Sequence, residues 1–336
     1  MKKNIIKKSN LEISNVGYGA SGFGNLYRTV KTSDAIDVIK KCHEVGINYF
    51  DTAPHYGAGL SERRLGLALS ELDVERSDII ISTKVGRLLE PNKNIGKGTI
   101  DGFVNAGPFD RTYDYSYTGI MRSFEDSLQR LGTSYVDILF IHDIGSMTHG
   151  EKNKELFKVA MESGYKALDE LKSAGLVKAI GLGTNEWQVQ QETFKYADFD
   201  CFMLSGRYTL LEQTAESFLD QCVEKNVSII AAAIYNSGIL ATGPKEGAYY
   251  DYEPAPEYIL KKVEQIFDLC HKFNVAPTTA AIQFPFVHPA VVSVMQNTMK
   301  FKNIEKINAM LDYKIPSEFW SELTKSGLVT SKYLNE

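Results

Sequence analysis

The sequence predicts an α/β protein in which strands and helices alternate and close into a barrel. Segments of strand type and helix type follow one another almost from end to end, and such alternation is typical of a parallel sheet with helical crossovers. The strand segments are short apolar runs, as expected for strands that are buried on both faces. The chain has 336 residues, which suits a barrel of about 250 residues plus insertions better than a doubly wound sheet.

About eight strand-then-helix units can be assigned in order. The predicted strands cover residues 15–19, 48–51, 78–84, 136–142, 177–183, 201–205, 227–233 and 291–294. The predicted helices carry apolar residues at helical spacing and cover residues 33–44, 61–71, 118–131, 165–174, 186–196, 212–225, 256–273 and 301–311. Ser33 is the expected N-cap of the first helix, and Gly46 follows its end, where a helix C-terminus favours glycine.

Three connections are longer than the others and all of them follow a strand. They are residues 85–117, 143–164 and 236–255, after predicted strands 3, 4 and 7. Loops of that length are usually functional, and the loops after the strands form the face where barrel active sites lie. No linker interrupts the pattern. We therefore expect one domain over residues 1–336, a (β/α)8 TIM barrel with long loops after strands 3, 4 and 7.

Composition and charge exclude several classes of protein. The net charge is -5 and no basic cluster is present, so nucleic-acid binding is not expected. No apolar run suits a signal peptide or a bilayer span, and we expect a cytoplasmic protein without a membrane partner. The cysteines are separated and lie in apolar stretches, which predicts buried thiols in a reducing compartment and no metal site; they are Cys42, Cys201, Cys222 and Cys270.

A glycine-rich segment follows the first predicted strand. Residues 17–22 read Gly-Tyr-Gly-Ala-Ser-Gly, which matches the dinucleotide-binding G-x-G-x-x-G pattern. In that motif the turn opens a helix directly, whereas here a loop-like segment intervenes and the helix begins only near Ser33. The spacing favours a loop at the barrel mouth that contacts substrate or nicotinamide.

Polar side chains follow three consecutive strands. Asp51 ends the second predicted strand, Lys84 the third and His142 the fourth, and Tyr56 lies in the loop just after Asp51. Because the carboxyl ends of parallel barrel strands meet at one mouth, we expect these four side chains to converge there.

The four side chains suit a single proton transfer. Tyrosine is a poor base near neutral pH, and a nearby lysine ammonium lowers its pKa because it favours the phenolate. Asp51 would hold Lys84 charged, His142 would orient the reacting oxygen, and Tyr56 would take or give the proton. A nicotinamide, which the protein only binds and aims, would exchange hydride with the adjacent carbon.

These residues also carry a family resemblance. Residues 51–57 (Asp-Thr-Ala-Pro-His-Tyr-Gly), followed by Ser61-Glu62 and Leu65-Gly66, resemble the signature of the aldo-keto reductases. The resemblance extends from Gly17 to about Leu311. It implies the (β/α)8 TIM barrel, a nicotinamide cofactor and the catalytic tetrad Asp51, Tyr56, Lys84 and His142, with Tyr56 as the general acid and base.

The resemblance also implies cofactor contacts. Thr184 and Asn185 resemble the pair that holds the carboxamide, Ser205 stands where the family often has Gln, and Gln296-Asn297 replaces Pro-Gly before the last cofactor segment. The complete predicted set is Gly19, Ala20, Asp51, Thr184, Asn185, Ser205, Tyr235, Asn236, Ser237, Gly238, Gln296, Asn297, Lys300, Lys302 and Asn303. A 2′-phosphate favours a bidentate arginine, and residues 296–305 contain none, which favours NAD over NADP.

Further segments resemble one branch of that family. Residues 148–151, 206–211, 236–243 and 280–289 are similar to those of D-threo-aldose (L-fucose) 1-dehydrogenases, L-galactose dehydrogenases and pyridoxal 4-dehydrogenases. This resemblance implies oxidation of a cyclic hemiacetal to a lactone, with L-fucose, L-galactose, D-arabinose or pyridoxal as candidate substrates. Loop residues expected to select the substrate are Phe23, Tyr113, Tyr115, His149, Trp187 and Arg207.

Three other functions fit parts of the pattern. An NADPH-dependent aldehyde or ketone reductase would use the same tetrad, with Lys300 and Lys302 on the 2′-phosphate. A non-catalytic regulatory barrel would not need the tetrad. A barrel aldolase would use Lys84 as a Schiff base, but pairing with Asp51 favours a charged lysine.

Overall fold

The computed structural model describes residues 1–95 and 97–334. Its strands, in chain order, are β1 (Lys3–Ile6), β2 (Leu11–Ser14), β3 (Val16–Gly19), β4 (Tyr49–Asp51), β5 (Ile80–Val85), β6 (Arg87–Pro91), β7 (Thr99–Ile100), β8 (Phe103–Val104), β9 (Phe109–Tyr113), β10 (Ile138–His142), β11 (Ala179–Thr184), β12 (Cys201–Ser205), β13 (Ser228–Ala232), β14 (Tyr249–Tyr250), β15 (Glu253–Pro254) and β16 (Val291–Gln296).

The α-helices surround these strands and mostly connect them. They are α1 (Thr32–Glu44), α2 (Leu60–Ser70), α3 (Tyr117–Leu131), α4 (Ser146–His149), α5 (Asn153–Val159), α6 (Tyr165–Ser173), α7 (Trp187–Glu192), α8 (Glu216–Glu224), α9 (Ile239–Thr242), α10 (Glu257–Lys272), α11 (Pro277–Gln283), α12 (Phe301–Glu305), α13 (Ile307–Asp312) and α14 (Ser317–Lys325). Among the described residues, none of these helices is long and apolar enough to cross a bilayer.

Eight strands form a closed parallel barrel, as the sequence predicted. They pair in the order β3, β4, β5, β10, β11, β12, β13 and β16, and β16 pairs again with β3. In the strand pairing, Asp51 of β4 lies opposite Gly19 of β3 and Ser82 of β5. Lys84 of β5 lies opposite Phe140 of β10. This register brings the predicted catalytic side chains to one end of the barrel.

Two hydrophobic layers support the barrel. One lies between strands and helices, and the other fills the interior with Tyr49, Phe140, Met203 and Met295 among its members. Burial of each such side chain stabilises the fold by roughly 1.5–3 kcal/mol. The four cysteines are buried and free.

The first residues close the amino-terminal end of the barrel. β1 and β2 form an antiparallel hairpin, and Ile6 and Ile13 pack into the interior cluster. The Asn4 side chain donates to the Val292 carbonyl at 2.8 Å, and the Lys7 backbone N–H donates to Ser228 Oγ at 3.2 Å. The sequence pattern had placed residues 1–14 outside the strand-helix units without a structural role.

The long loops after strands 3, 4 and 7 carry structure of their own. The loop after β5 folds into the antiparallel hairpins β6–β9 and β7–β8. The loop after β10 contains α4 and leads through α5 and a π-helical turn, Ala160–Gly164, into α6. The loop after β13 contains α9 and the pair β14–β15.

Several element boundaries differ from the prediction. The first helix begins at Thr32, so Ser33 lies inside it and Lys31 occupies the cap position without a side-chain hydrogen bond. The helix predicted over residues 212–225 begins only at Glu216, because Thr209 and Glu212 close a hydrogen-bonded turn before it. The helix predicted over residues 301–311 is divided into α12 and α13.

Gly181 in β11 is required by close packing of the neighbouring strand. A Cβ atom at this position would lie 1.8 Å from the Cys201 carbonyl oxygen. We expect Gly181→Ala to destabilise the protein by about 3 kcal/mol, because overpacking forces the backbone to shift. Denaturant unfolding measures the difference. Gly98→Ala is the control, because no atom of the described residues lies within 4 Å of a Cβ added there. Equal stability of the two variants would contradict the prediction.

Candidate active site

Asp51, Lys84 and Tyr56 lie together at the carboxyl end of the barrel. Lys84 Nζ donates to Asp51 Oδ2 at 2.7 Å and to the Thr52 carbonyl at 2.9 Å. The same Nζ atom lies 5.0 Å from the centre of the Tyr56 ring. Asp51 and Lys84 are buried, so their charges compensate each other away from water.

His142 completes the group from β10. Its ring centre lies 6.0 Å from that of Tyr56, with the two ring planes perpendicular. The chain therefore brings together all four side chains that the sequence predicted, although they come from three strands and one loop.

Two residues beneath Asp51 were not predicted. Ser82 Oγ donates to Asp51 Oδ1 at 2.6 Å, and the Tyr49 hydroxyl lies 3.0 Å from Ser82 Oγ. Ser82 precedes Lys84 by two residues on the same strand, and side chains with that spacing share one face. This periodicity could have identified Ser82 from the sequence.

The electrostatic surroundings fix the protonation of the group at neutral pH. Burial lowers the pKa of Lys84, but Asp51 and Tyr56 raise it more, so the ammonium stays charged. Burial, together with the charges of Arg87 and Lys84, holds the pKa of His142 well below its ordinary value. His142 is therefore neutral and can donate a hydrogen bond from one ring nitrogen.

The pKa of Tyr56 differs from the sequence-based expectation. Burial raises it to about 12, although Lys84 acts in the opposite direction. The lysine alone was expected to give a lowered value. The expectation failed because the cost of placing a phenolate in a buried site exceeds the attraction of the nearby ammonium.

A chain of aromatic contacts supports His142 from the loops. The Tyr115 hydroxyl donates to the His142 carbonyl at 2.8 Å and lies 2.9 Å from His149 Nε2. The His149 ring packs edge-on against Tyr113, with 4.6 Å between ring centres. All three residues were predicted to contact substrate. Tyr115 is buried, whereas Tyr113 and His149 are more exposed to solvent.

The remaining predicted substrate residues have different surroundings. Phe23 is buried against Tyr18, and Trp187 stacks on Phe218 of α8. Both rings pack within the layer between strands and helices. Arg207 donates from Nε to the Asn185 carbonyl at 3.0 Å and from Nη2 to Asp251 at 2.7 Å.

The predicted carboxamide contacts lie at the ends of β11 and β12. Thr184 Oγ1 donates to the Glu186 carbonyl at 3.0 Å, and Ser205 ends β12. In the loop after β13, the Tyr252 backbone N–H donates to Ser237 Oγ at 3.2 Å. Tyr252 was not predicted, and its position in the long loop after β13 was the available signal.

The other predicted cofactor residues lie around β3, β13 and β16. Gln296 Nε2 donates to the Tyr235 hydroxyl at 2.9 Å. Asn236 binds Thr209 and the Gly206 carbonyl, so its side chain fixes the loop. The remainder are Gly19, which ends β3, Ala20 after it, Ser237 and Gly238 before α9, and exposed Asn297, Lys300 and Lys302. The last is Asn303, whose side-chain amide donates to Thr298 Oγ1 at 3.2 Å.

Comparisons with known proteins agree with this architecture. The model of the Aldo/keto reductase family matches residues 15–327. Pyridoxal 4-dehydrogenase of Microbacterium luteolum is 38% identical, with 98% of each chain covered. D-threo-aldose 1-dehydrogenase of a Pseudomonas species is 35% identical, with 95% of each chain covered. L-galactose dehydrogenase of Arabidopsis thaliana is 29% identical, with 88% of this chain and 83% of that protein covered.

A solved structure shares the fold. The holo form of an aldo-keto reductase from Bacillus halodurans superposes with a TM-score of 0.75 at 24% identity, covering 97% of this chain and 96% of that one. Enzymes of this family use nicotinamide cofactors. The barrel, the converging polar group and the matched family model agree, and this chain is an oxidoreductase that belongs to the aldo/keto reductase family.

Proposed function

We propose that this enzyme oxidises the anomeric hydroxyl of a cyclic hemiacetal, an aldose or pyridoxal, to a lactone with NAD. The observation that carries the proposal is the buried Lys84–Asp51 pair beside Tyr56 and His142. Support for the substrate class comes from the relatives, whose names describe pyridoxal and aldose dehydrogenases.

The residues around the proposed cofactor site fit a nicotinamide. The side-chain amide of Asn185 has no hydrogen-bond partner among residues 1–95 and 97–334, although the backbone carbonyl of Asn185 accepts from Arg207. Asn185 and Ser205 would hold the carboxamide, and Gln296 would line the same end of the barrel. When bound, the cofactor supplies the hydride acceptor.

The side chains divide the chemistry among them. His142 donates a hydrogen bond to the anomeric oxygen and orients the carbon–hydrogen bond. Tyr56 in its phenolate form takes the hydroxyl proton while that carbon–hydrogen bond breaks and the lactone C=O forms. Lys84 stabilises the phenolate, and Asp51 keeps Lys84 charged and in place.

The raised pKa of Tyr56 predicts the pH dependence of oxidation. Because the pKa lies at about 12, the phenolate is a minor species near neutral pH and its fraction rises about tenfold per pH unit. We expect kcat/KM for oxidation to rise from about pH 7 to pH 10 without levelling off. A plateau beginning below about pH 8 would contradict the raised value.

Preference for NAD rests on the segment after β16. Residues 296–305 contain no arginine, and a 2′-phosphate favours one. Lys300 and Lys302 are exposed, and the described residues form no ion pair with either. These lysines are the observation that favours the second candidate, an NADPH-dependent aldehyde or ketone reductase, in which protonated Tyr56 would act as the acid.

The test follows the absorbance of reduced nicotinamide. The enzyme is mixed with NAD or NADP and with L-fucose, L-galactose, D-arabinose or pyridoxal. Formation of reduced NAD with one of them is the expected result. No reduction with either cofactor, but consumption of NADPH with simple aldehydes, would replace the proposal by the reductase.

A further inference from the structure

An ion pair that the reaction above does not use lies next to His142. Arg87 Nη2 donates to Asp143 Oδ2, and the same Oδ2 atom lies 3.4 Å from His142 Nε2. Asp143 directly follows His142, while Arg87 begins β6 in the loop after β5. The pair therefore lies beside Nε2 of His142.

Each member of the pair retains an unused polar atom. Arg87 is buried, only 7% exposed, and its Nε is shielded from solvent without a hydrogen-bond partner in the described part of the chain. Asp143 Oδ1 likewise receives no hydrogen bond from those residues, and the Asp143 side chain is 23% accessible. The N–H bonds of Nε and Nη2 point outward from the same edge of a guanidinium. The unused Nε donor therefore lies on the side of Arg87 that faces Asp143.

We propose that Asp143, held in place by Arg87, binds the hydroxyl on the carbon next to the anomeric carbon, so that the substrate is an aldose carrying that hydroxyl. This inference rests on the proposed function. A hydroxyl can donate a hydrogen bond, and here it donates to Asp143 Oδ1.

Charge and distance both support a neutral hydroxyl as the occupant. Because Asp143 compensates the charge of Arg87, the pair has no net charge with which to attract an anion. Oxygens on adjacent sugar carbons lie about a hydrogen-bond length apart. When His142 holds the anomeric oxygen, the neighbouring oxygen is therefore within reach of Asp143, 3.4 Å from His142 Nε2.

Pyridoxal lacks this group. The ring carbon attached to its hemiacetal carbon carries no hydroxyl, so the free carboxylate oxygen of Asp143 would remain unpaired. Leaving buried polar groups unpaired is costly, and a site built around a hydroxyl rejects analogues without it.

The test compares an aldose with its 2-deoxy counterpart. The aldose of the panel that is oxidised best is paired with the 2-deoxy sugar, and kcat/KM is measured for both with NAD. We expect kcat/KM of the unmodified enzyme to be roughly 10- to 100-fold higher for the parent sugar. This is the factor expected when a hydrogen bond to a charged group is lost. This comparison needs no variant and so does not depend on the folding of one.

The variant Asp143→Asn then tests whether the Arg87–Asp143 pair causes the preference for the parent sugar. Asp143 has a φ of 47°, a region that Asn tolerates, so the backbone is retained. We expect the variant to lose most of the preference, measured as the ratio of kcat/KM for the parent sugar to kcat/KM for the 2-deoxy sugar. Asp101→Asn is the matched control, because Asp101 also pairs with an arginine, Arg111, at 3.5 Å and has a φ of 51°.

Three outcomes would overturn the inference while leaving hemiacetal oxidation in place. They are equal use of the parent and 2-deoxy sugars, retention of the preference by Asp143→Asn, and oxidation of pyridoxal without oxidation of any aldose. Absence of oxidation with the whole panel would instead overturn the proposed function and this inference with it.

Discussion

Replacement of Tyr56 by phenylalanine is expected to lower kcat for oxidation roughly 100- to 10,000-fold, the usual contribution of a positioned acid or base. The variant retains the aromatic ring and loses only the hydroxyl that takes the proton. The ring's perpendicular contact with His142 and its position near Lys84 should remain, so NAD binding is expected to change little.

The measurement combines steady-state turnover with a cofactor titration. Tyr117→Phe is a matched control, because the Tyr117 hydroxyl bonds Glu170 at 2.7 Å on an exposed part of α3. Turnover of Tyr56→Phe close to that of the control would remove Tyr56 from its assigned role. A loss of cofactor binding equal to the loss of turnover would assign the hydroxyl to binding instead.

Lys84→Met is expected to reduce both turnover and stability. Without the ammonium, the phenolate form of Tyr56 loses its nearest counter-charge, and kcat should fall roughly 100- to 10,000-fold. Asp51 is 3% exposed and would be left with a buried charge bonded only to Ser82. Breaking a buried ion pair in this way costs about 3–5 kcal/mol.

The double variant Asp51→Asn/Lys84→Met separates the two effects. Removing both charges leaves no uncompensated carboxylate, so most of the lost free energy of unfolding should return. Turnover should remain low because the lysine is still absent. Denaturant unfolding and turnover are measured on the same preparations. A double variant as unstable as Lys84→Met, or one with restored turnover, would contradict this account of the pair.

The barrel and its catalytic corner were predictable from local pattern alone. Buried strands such as 136–142 are apolar runs, and a polar residue at the end of such a run stands out. In a parallel barrel all strand ends of one kind meet, so Asp51, Lys84 and His142 could be placed together without a structure.

Features that depend on packing between distant segments were not predictable. Phe23 lies in a loop-like segment and Trp187 in a predicted helix, and an aromatic side chain in either context suits a binding site or a packed layer. The rise in the Tyr56 pKa depends on burial, which the motif does not reveal. Arg87 and Asp143 are separated by 56 positions in the sequence. The hairpin β6–β9, which the sequence did not predict, brings Arg87 next to Asp143 at the carboxyl end of the barrel.

Transfer of deuterium tests the central claim most directly. An aldose labelled with deuterium at the anomeric carbon is incubated with the enzyme and NAD, and the reduced cofactor and the sugar product are analysed by mass spectrometry. The account predicts that the deuterium moves to the reduced cofactor and that the product is the lactone or its hydrolysed acid. Appearance of the label in water, or its retention in the sugar while the cofactor stays oxidised, would contradict hydride transfer from the anomeric carbon.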